Sequence, residues 1–180
     1  MPHIDLPEGA PGIVGPLIAY PETEKHLNGL AQAMLRGPSS LTPAEREMIA
    51  AYVSSCNDCY FCTHAHAAAA RELYGSAGGV VDQVLTDRQA APIDEKMRAL
   101  LVIAEKVRQD GHLVTSADVE RARAAGADDK AIHDTVLISA AFCMFNRYVD
   151  GLATWAPRDP EIYKMIGAKL AHDGYTNYVP

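Results

Sequence analysis

Residues 45–66 read EREMIAAYVSSCNDCYFCTHAH. Three cysteines recur every third residue (Cys56, Cys59, Cys62), two histidines follow (His64, His66), and two glutamates precede them (Glu45, Glu47). The residues just upstream fix the local structure. In "LTPAERE", Thr42 can cap a helix, Pro43 suits its first position, and Glu45, three after Thr42, completes a capping box. The helix is predicted to run through Met48, Ile49, Tyr52 and Val53 to about Ser55. "CND" then reads as a turn, with Asn57 or Asp58 available to cap a second helix, "CYFCTHAHAAAARELYG", that Gly75 closes. The stretch is a helical hairpin.

Outward from the hairpin, the pattern stays helical. "ETEKHLNGLAQAMLRGP" places Leu27, Leu30, Met34 and Leu35 at helical spacing, and Gly37-Pro38 stops it. Downstream, helices are predicted near "GVVDQVLTD", in "PIDEKMRALLVIAEKVRQD" opened by Pro92, and in "TSADVERARAAG". A long one follows in "DDKAIHDTVLISAAFCMFNRYVDGLA" capped by Asp128, and a last in "PEIYKMIGAKLAHDG" from Pro160. The first twenty or so residues are rich in Pro and Gly and are predicted to form an extended arm over the surface. There is no alternating strand pattern and no Gly-rich phosphate loop. The expected fold class is all-α, in one domain spanning residues 1–180.

Composition narrows the function. The chain has 180 residues, 48% of them hydrophobic, which suits a globular domain with its own core. A net charge of −7 argues against nucleic acid or an anionic membrane as the main partner. No apolar run reaches the ~18 residues of a membrane span. "MPHIDLPEGAPGIVGPLIAYPE" lacks the basic start and apolar core of a signal peptide, so a cytoplasmic location is the expectation. In a reducing compartment the four cysteines point to catalysis, metal binding or burial rather than structural disulfides.

On the second helix of the hairpin, Cys59, Cys62 and His66 are three and four residues apart and share a face. His64, two from each neighbour, points elsewhere. Folding the hairpin at Asn57 brings Glu47 opposite His66. The candidate set is Glu47, Cys59, Cys62 and His66. A thiol attacks as its thiolate, and the unpaired N–H groups at a helix N-terminus favour that anion. His66 can take or give a proton, and Glu47 can orient its ring. Neighbouring Cβ atoms on a regular helix are ~5–6 Å apart, whereas a disulfide wants ~3.5–4.5 Å. Closing a bond across this pair therefore needs a local distortion, and the bond should reduce easily. The helix-terminal position favours Cys59 as attacker; the neighbouring imidazole favours Cys62. Cys143, in "ISAAFCMF", reads as core, and His133 as a surface or helix–helix residue.

At these residues the sequence resembles the AhpD-like alkylhydroperoxidases of the carboxymuconolactone decarboxylase superfamily. The family motif is Glu, eleven residues, Cys-x-x-Cys, three residues, His. Glu47, Cys59, Cys62 and His66 satisfy it without a gap. "LTPAEREMIAAYVSSCNDCYFC", "LPEGAPGIVGPLIAYPETEKHL" and "FNRYVDGL" resemble the peroxidase-related branch. The resemblance implies an AhpD-like helical bundle that assembles as a homo-oligomer. It implies reduction of a small hydroperoxide with no cofactor: Cys62 attacks and becomes a sulfenic acid, Cys59 condenses with it to a disulfide, Glu47 and His66 move protons, and an external dithiol resets the pair. Asn146 and Arg147 are candidate substrate contacts. Two features depart from the pattern. Tyr60 and Phe61 stand where some members carry a histidine between the cysteines, and Cys56 is an extra thiol.

Two other readings compete. Cys56, Cys59, Cys62 and His66 or His64 could ligate zinc, although zinc modules usually draw ligands from separated segments. The chain could also be a non-catalytic scaffold with the thiol pair as a redox switch.

Overall fold

Every residue from Arg46 to Ser54 is buried, and the run lies on one helix, Pro43–Cys56. A helix buried on all faces belongs at the centre of a bundle. The computed structural model describes residues 1–176; residues 177–180 of the expected 1–180 domain lie outside the described residues. In chain order its α-helices are α1 (Val14–Ala19), α2 (Pro21–Arg36), α3 (Pro43–Cys56), α4 (Tyr60–Tyr74), α5 (Gly79–Thr86), α6 (Glu95–Gln109), α7 (Ser116–Ala124), α8 (Asp129–Gly151) and α9 (Pro160–Asp173). No strand occurs among the described residues, so the chain is all-α. Nor is any helix among them long and apolar enough to cross a membrane.

The helix ends follow local chemistry. Thr42 accepts from the Glu45 N–H while the Glu45 carboxylate accepts from the Thr42 N–H, the expected capping box. Thr115 and Asp118 form a second one on α7. Asp128 caps α8 through the Ala131 N–H. Two expectations need correction. α6 starts at Glu95 behind an Asp94 cap, not at Pro92. The cap of α4 is Cys59 itself, and neither Asn57 nor Asp58 performs that role. Asp58 takes a left-handed turn (φ 58°), which the chain needs to reverse between α3 and α4, and Asp tolerates it better than most residues.

The N-terminal arm is only partly extended. Residues 14–19 form α1, with Leu17 buried against the bundle. The arm is tied down by the Gly12 N–H to the Trp155 carbonyl (2.7 Å) and the His3 N–H to the Leu152 carbonyl (2.9 Å). At Gly12 (φ 53°) a Cβ would fall 2.1 Å from the Phe61 ring, so the arm crosses α4 on bare backbone.

α3 packs against α4, α8 and α6, and α4 lies between α3 and α9. The Ala65 and Ala67–Ala70 run lets α4 approach both neighbours closely. Across the crossing with α9, Gly167 faces Ala68, and a Cβ there would sit 2.6 Å from the Ala68 Cβ and carbonyl carbon. Asn146 of α8 donates to Ser54 Oγ (3.0 Å) and accepts from Asn57 (2.9 Å), fastening α8 to the end of α3 and its turn. Overpacking costs about 1–3 kcal/mol and alanine regains ~1 kcal/mol over glycine in a helix, so Gly167→Ala is expected to destabilise the protein by up to about 2 kcal/mol. Chemical denaturation measures the change, and a stabilised variant would contradict this reading of the crossing.

Candidate active site

The site grows from one buried carboxylate. Glu47 lies on the central helix α3, and its side chain is fully buried. An isolated charge there would be strongly unfavourable, so partners must surround it. Three do. His66 Nδ1 donates to Oε2 at 2.7 Å across the α3–α4 contact. Arg36, at the end of α2, reaches Oε1 at 2.7 Å. The Tyr175 hydroxyl, just beyond α9, donates to Oε1 at 2.5 Å. Burial alone would push the Glu47 carboxyl up. The charge and hydrogen bond of His66, then Arg36 and Tyr175, outweigh it and hold Glu47 below the usual carboxylate range. An ionised carboxylate only accepts, so His66 carries its proton on Nδ1 and leaves Nε2 for exchange in the pocket.

The thiol pair sits at the start of α4. Cys59 is fully buried and Cys62 4% exposed, and both are free thiols. As N-cap, Cys59 has extended backbone (φ −78°, ψ 96°), so the regular-helix separation assumed for the pair does not apply. The side chain swings back to hydrogen-bond Cys62. Cys59 is thus already off the regular helix that spaces such a pair. That hydrogen bond, then burial and the charge of Cys62, push the Cys59 thiol far above the usual cysteine range. Cys59 keeps its proton, for which Cys62 and Asp150 compete as acceptors.

Cys62 and His66 line one small pocket of about 40 Å³, with Ile13, Leu27, Phe61, Phe142, Phe145 and Tyr175 among its walls. It has room for a group of one or two water-sized atoms in an otherwise apolar lining. The structure therefore brings Glu47, Cys59, Cys62 and His66 together. It does not bring Asn146 or Arg147 to this pocket. Asn146 is buried and committed to Ser54 and Asn57, and Arg147 is exposed and bonds the Cys143 carbonyl. Both border a separate surface depression with Asp150. Cys143 is half-buried, packs against the edge of the core and contacts Asn57. His133 is a surface residue bonded to Asp134.

Among the described residues, no three His, Cys, Asp or Glu side chains converge to hold a metal ion. His66 Nδ1 bonds Glu47 and His64 Nδ1 bonds the Tyr60 carbonyl (2.8 Å), so each ring keeps Nε2 unengaged by these contacts.

Three contributors were missed in the sequence. Arg36 and Tyr175 reach Glu47 from positions with no spacing relation to it; the only available signal was that a buried glutamate requires a cation. Asp150 accepts a hydrogen bond from Cys59. Burial raises the Asp150 carboxyl above its usual range against the lowering effect of that bond.

The model of the carboxymuconolactone decarboxylase family matches residues 21–106, from α2 into α6. Among solved structures, the chain resembles the alkylhydroperoxidase AhpD core of an uncharacterized peroxidase-related protein from Ralstonia eutropha. Identity is 30%, covering 87% of this chain and 80% of that one, with a TM-score of 0.77. An uncharacterized peroxidase-related protein from Silicibacter sp. is similar at 29% identity, covering 86% and 78%, with a TM-score of 0.77. A protein of unknown function from Agrobacterium tumefaciens shares the fold at 23% identity, covering 79% and 96%, with a TM-score of 0.67. Comparison with curated proteins finds no match. The chain belongs to the AhpD/carboxymuconolactone decarboxylase superfamily.

Because Glu47 is held below its ordinary range, its pairing stabilises the fold above pH ~4.3, and the contribution is lost as pH falls through and below that value. Arg36→Met removes one partner of the buried charge and is expected to cost about 3 kcal/mol at pH 7. The gap to the parent protein should shrink in acid as Glu47 takes up a proton. Denaturation at pH 7 and pH 4 checks this; a gap independent of pH would mean that Arg36 contributes packing alone.

Proposed function

We propose that the protein reduces hydroperoxides with the Cys59–Cys62 thiol pair. The observation that carries the reading is the asymmetry of the pair: Cys62 lines the pocket beside His66, while Cys59 lies behind it and donates toward its sulfur. This favours Cys62 as the attacking sulfur.

The chemistry follows from that placement. Cys62 passes its thiol proton to His66 Nε2, and the resulting thiolate attacks the terminal peroxide oxygen. An S–O bond forms, the O–O bond breaks, and the departing alkoxide takes a proton from His66 and leaves as alcohol. Cys62 is then a sulfenic acid. The Cys59 sulfur attacks it, an S–S bond forms, and the hydroxyl leaves as water with the proton that Cys59 gives up. The two thiols have supplied both electrons. An external dithiol reduces the disulfide by exchange, becoming a disulfide itself. Glu47 holds His66 in the Nδ1–H tautomer, so that Nε2 carries the proton traffic. The apolar pocket suits a hydroperoxide with a hydrocarbon substituent.

One equivalent of cumene hydroperoxide added to reduced, metal-free protein is expected to consume two thiols and leave a Cys59–Cys62 disulfide, read by thiol titration and peptide mapping. Cys62→Ser should abolish the loss, and Cys59→Ser should stop at a trappable sulfenic acid. Unchanged thiols, in a protein that retains stoichiometric zinc, would overturn the reading in favour of a metal site.

A further inference from the structure

Tyr175 stands where three features of the site meet. Its hydroxyl donates to Glu47 Oε1 at 2.5 Å and lies 3.3 Å from His66 Nδ1. Its ring runs nearly parallel to the His66 imidazole, 6.2 Å away at 12°, and lies under the Arg36 guanidinium at 5.3 Å. The same ring walls the pocket that contains Cys62. The segment that carries it is fixed in place. Gly174 turns with φ 71°, a conformation that suits glycine, and the Tyr175 N–H donates to Gln32 Oε1 of α2 at 2.8 Å.

We propose that Tyr175 is a positioning and size-selecting residue of the thiol site: its hydroxyl holds Glu47 and His66 in register, and its ring limits what reaches Cys62. This rests on the assignment of Cys62 as the reactive thiol. It adds to that assignment a determinant outside the Glu-Cys-Cys-His motif.

The hydroxyl matters because Glu47 is shared. Among the described residues, the charged and titratable groups around His66 are Glu47 from α3, Arg36 from α2 through that carboxylate, Cys62 one turn back on α4, and Tyr175; α8 presents the Phe142 ring. Each donor to the carboxylate draws negative charge away from the others. Removing the phenol leaves more of that negative charge to His66, which makes the imidazole a stronger acceptor for the Cys62 thiol proton. The ring matters because the pocket is narrow, about 40 Å³, and Tyr175 is one of its aromatic walls beside Cys62. Like Ile13 it stands outside the helices, and truncating it widens the approach to Cys62 without removing part of the bundle.

Alkylation of Cys62, followed by peptide mass spectrometry, reads both effects without turnover. The reagents are iodoacetamide, which is small, and N-phenylmaleimide, which is bulky. The proteins are the parent, Tyr175→Phe and Tyr175→Ala, each checked for folding by its melting curve. Tyr175→Phe keeps the ring; the midpoint of its iodoacetamide pH profile is expected to shift to lower pH, with the bulky-to-small rate ratio near that of the parent. Tyr175→Ala is expected to raise that ratio several-fold. A parental pH profile in Tyr175→Phe, or a parental ratio in Tyr175→Ala, would overturn the proposal. Hydroperoxide consumption by the parent is a separate readout. Its absence would count against the peroxidase reading, while the alkylation data would still decide the role of the tyrosine.

Discussion

The Glu47–His66 contact is the constraint on which the site depends. It joins the two helices of the hairpin at their most buried face, placing a carboxylate where water cannot reach it. Such a charge persists only when partners enclose it. Arg36 and Tyr175 complete the enclosure from the two sides that the hairpin leaves open, so four segments converge on one side chain. The consequence for chemistry is directional. With Nδ1 donating to Glu47, the imidazole has one nitrogen left to exchange protons, one helical turn from Cys62.

The second determinant is the end of α4. A helix whose N-cap is a cysteine does not space Cys-x-x-Cys as a regular helix would. Asp58 takes the left-handed turn, Cys59 stays extended, and its sulfur meets that of Cys62. The two thiols are thereby made unequal. One faces an apolar pocket beside a proton carrier; the other is enclosed, retains its proton and has Asp150 behind it. The proposed division of labour between an attacking Cys62 and a resolving Cys59 rests on this inequality.

Much of this was legible in the sequence because it is local. The capping box at Thr42 and Glu45, the three-and-four spacing of Cys59, Cys62 and His66, and the pairing of Glu47 with His66 all follow from helical geometry and a single turn. What was not legible is non-local or depends on exact backbone angles. Asn57 and Asp58 both look like caps, and only the backbone shows that the reversal consumes Asp58 and passes the cap to Cys59. Asn146, in an apolar helix near the cysteines, reads as a pocket residue, yet its amide is committed to Ser54 and Asn57. Arg36 and Tyr175 are separated from Glu47 by lengths of chain that carry no periodic signal. The proline- and glycine-rich arm hid α1, whose Leu17 is buried against the bundle.

The most direct test of the central claim is the tautomer of His66, read from its ring nitrogen-15 resonances in the reduced protein above the pH at which the imidazole loses its charge. The expected result is a protonated Nδ1 and an unprotonated Nε2, with Glu47→Gln changing the pattern at this histidine more than at any other. An Nε2–H tautomer would contradict the account, because the nitrogen left for exchange would then face the carboxylate instead of the thiol pocket.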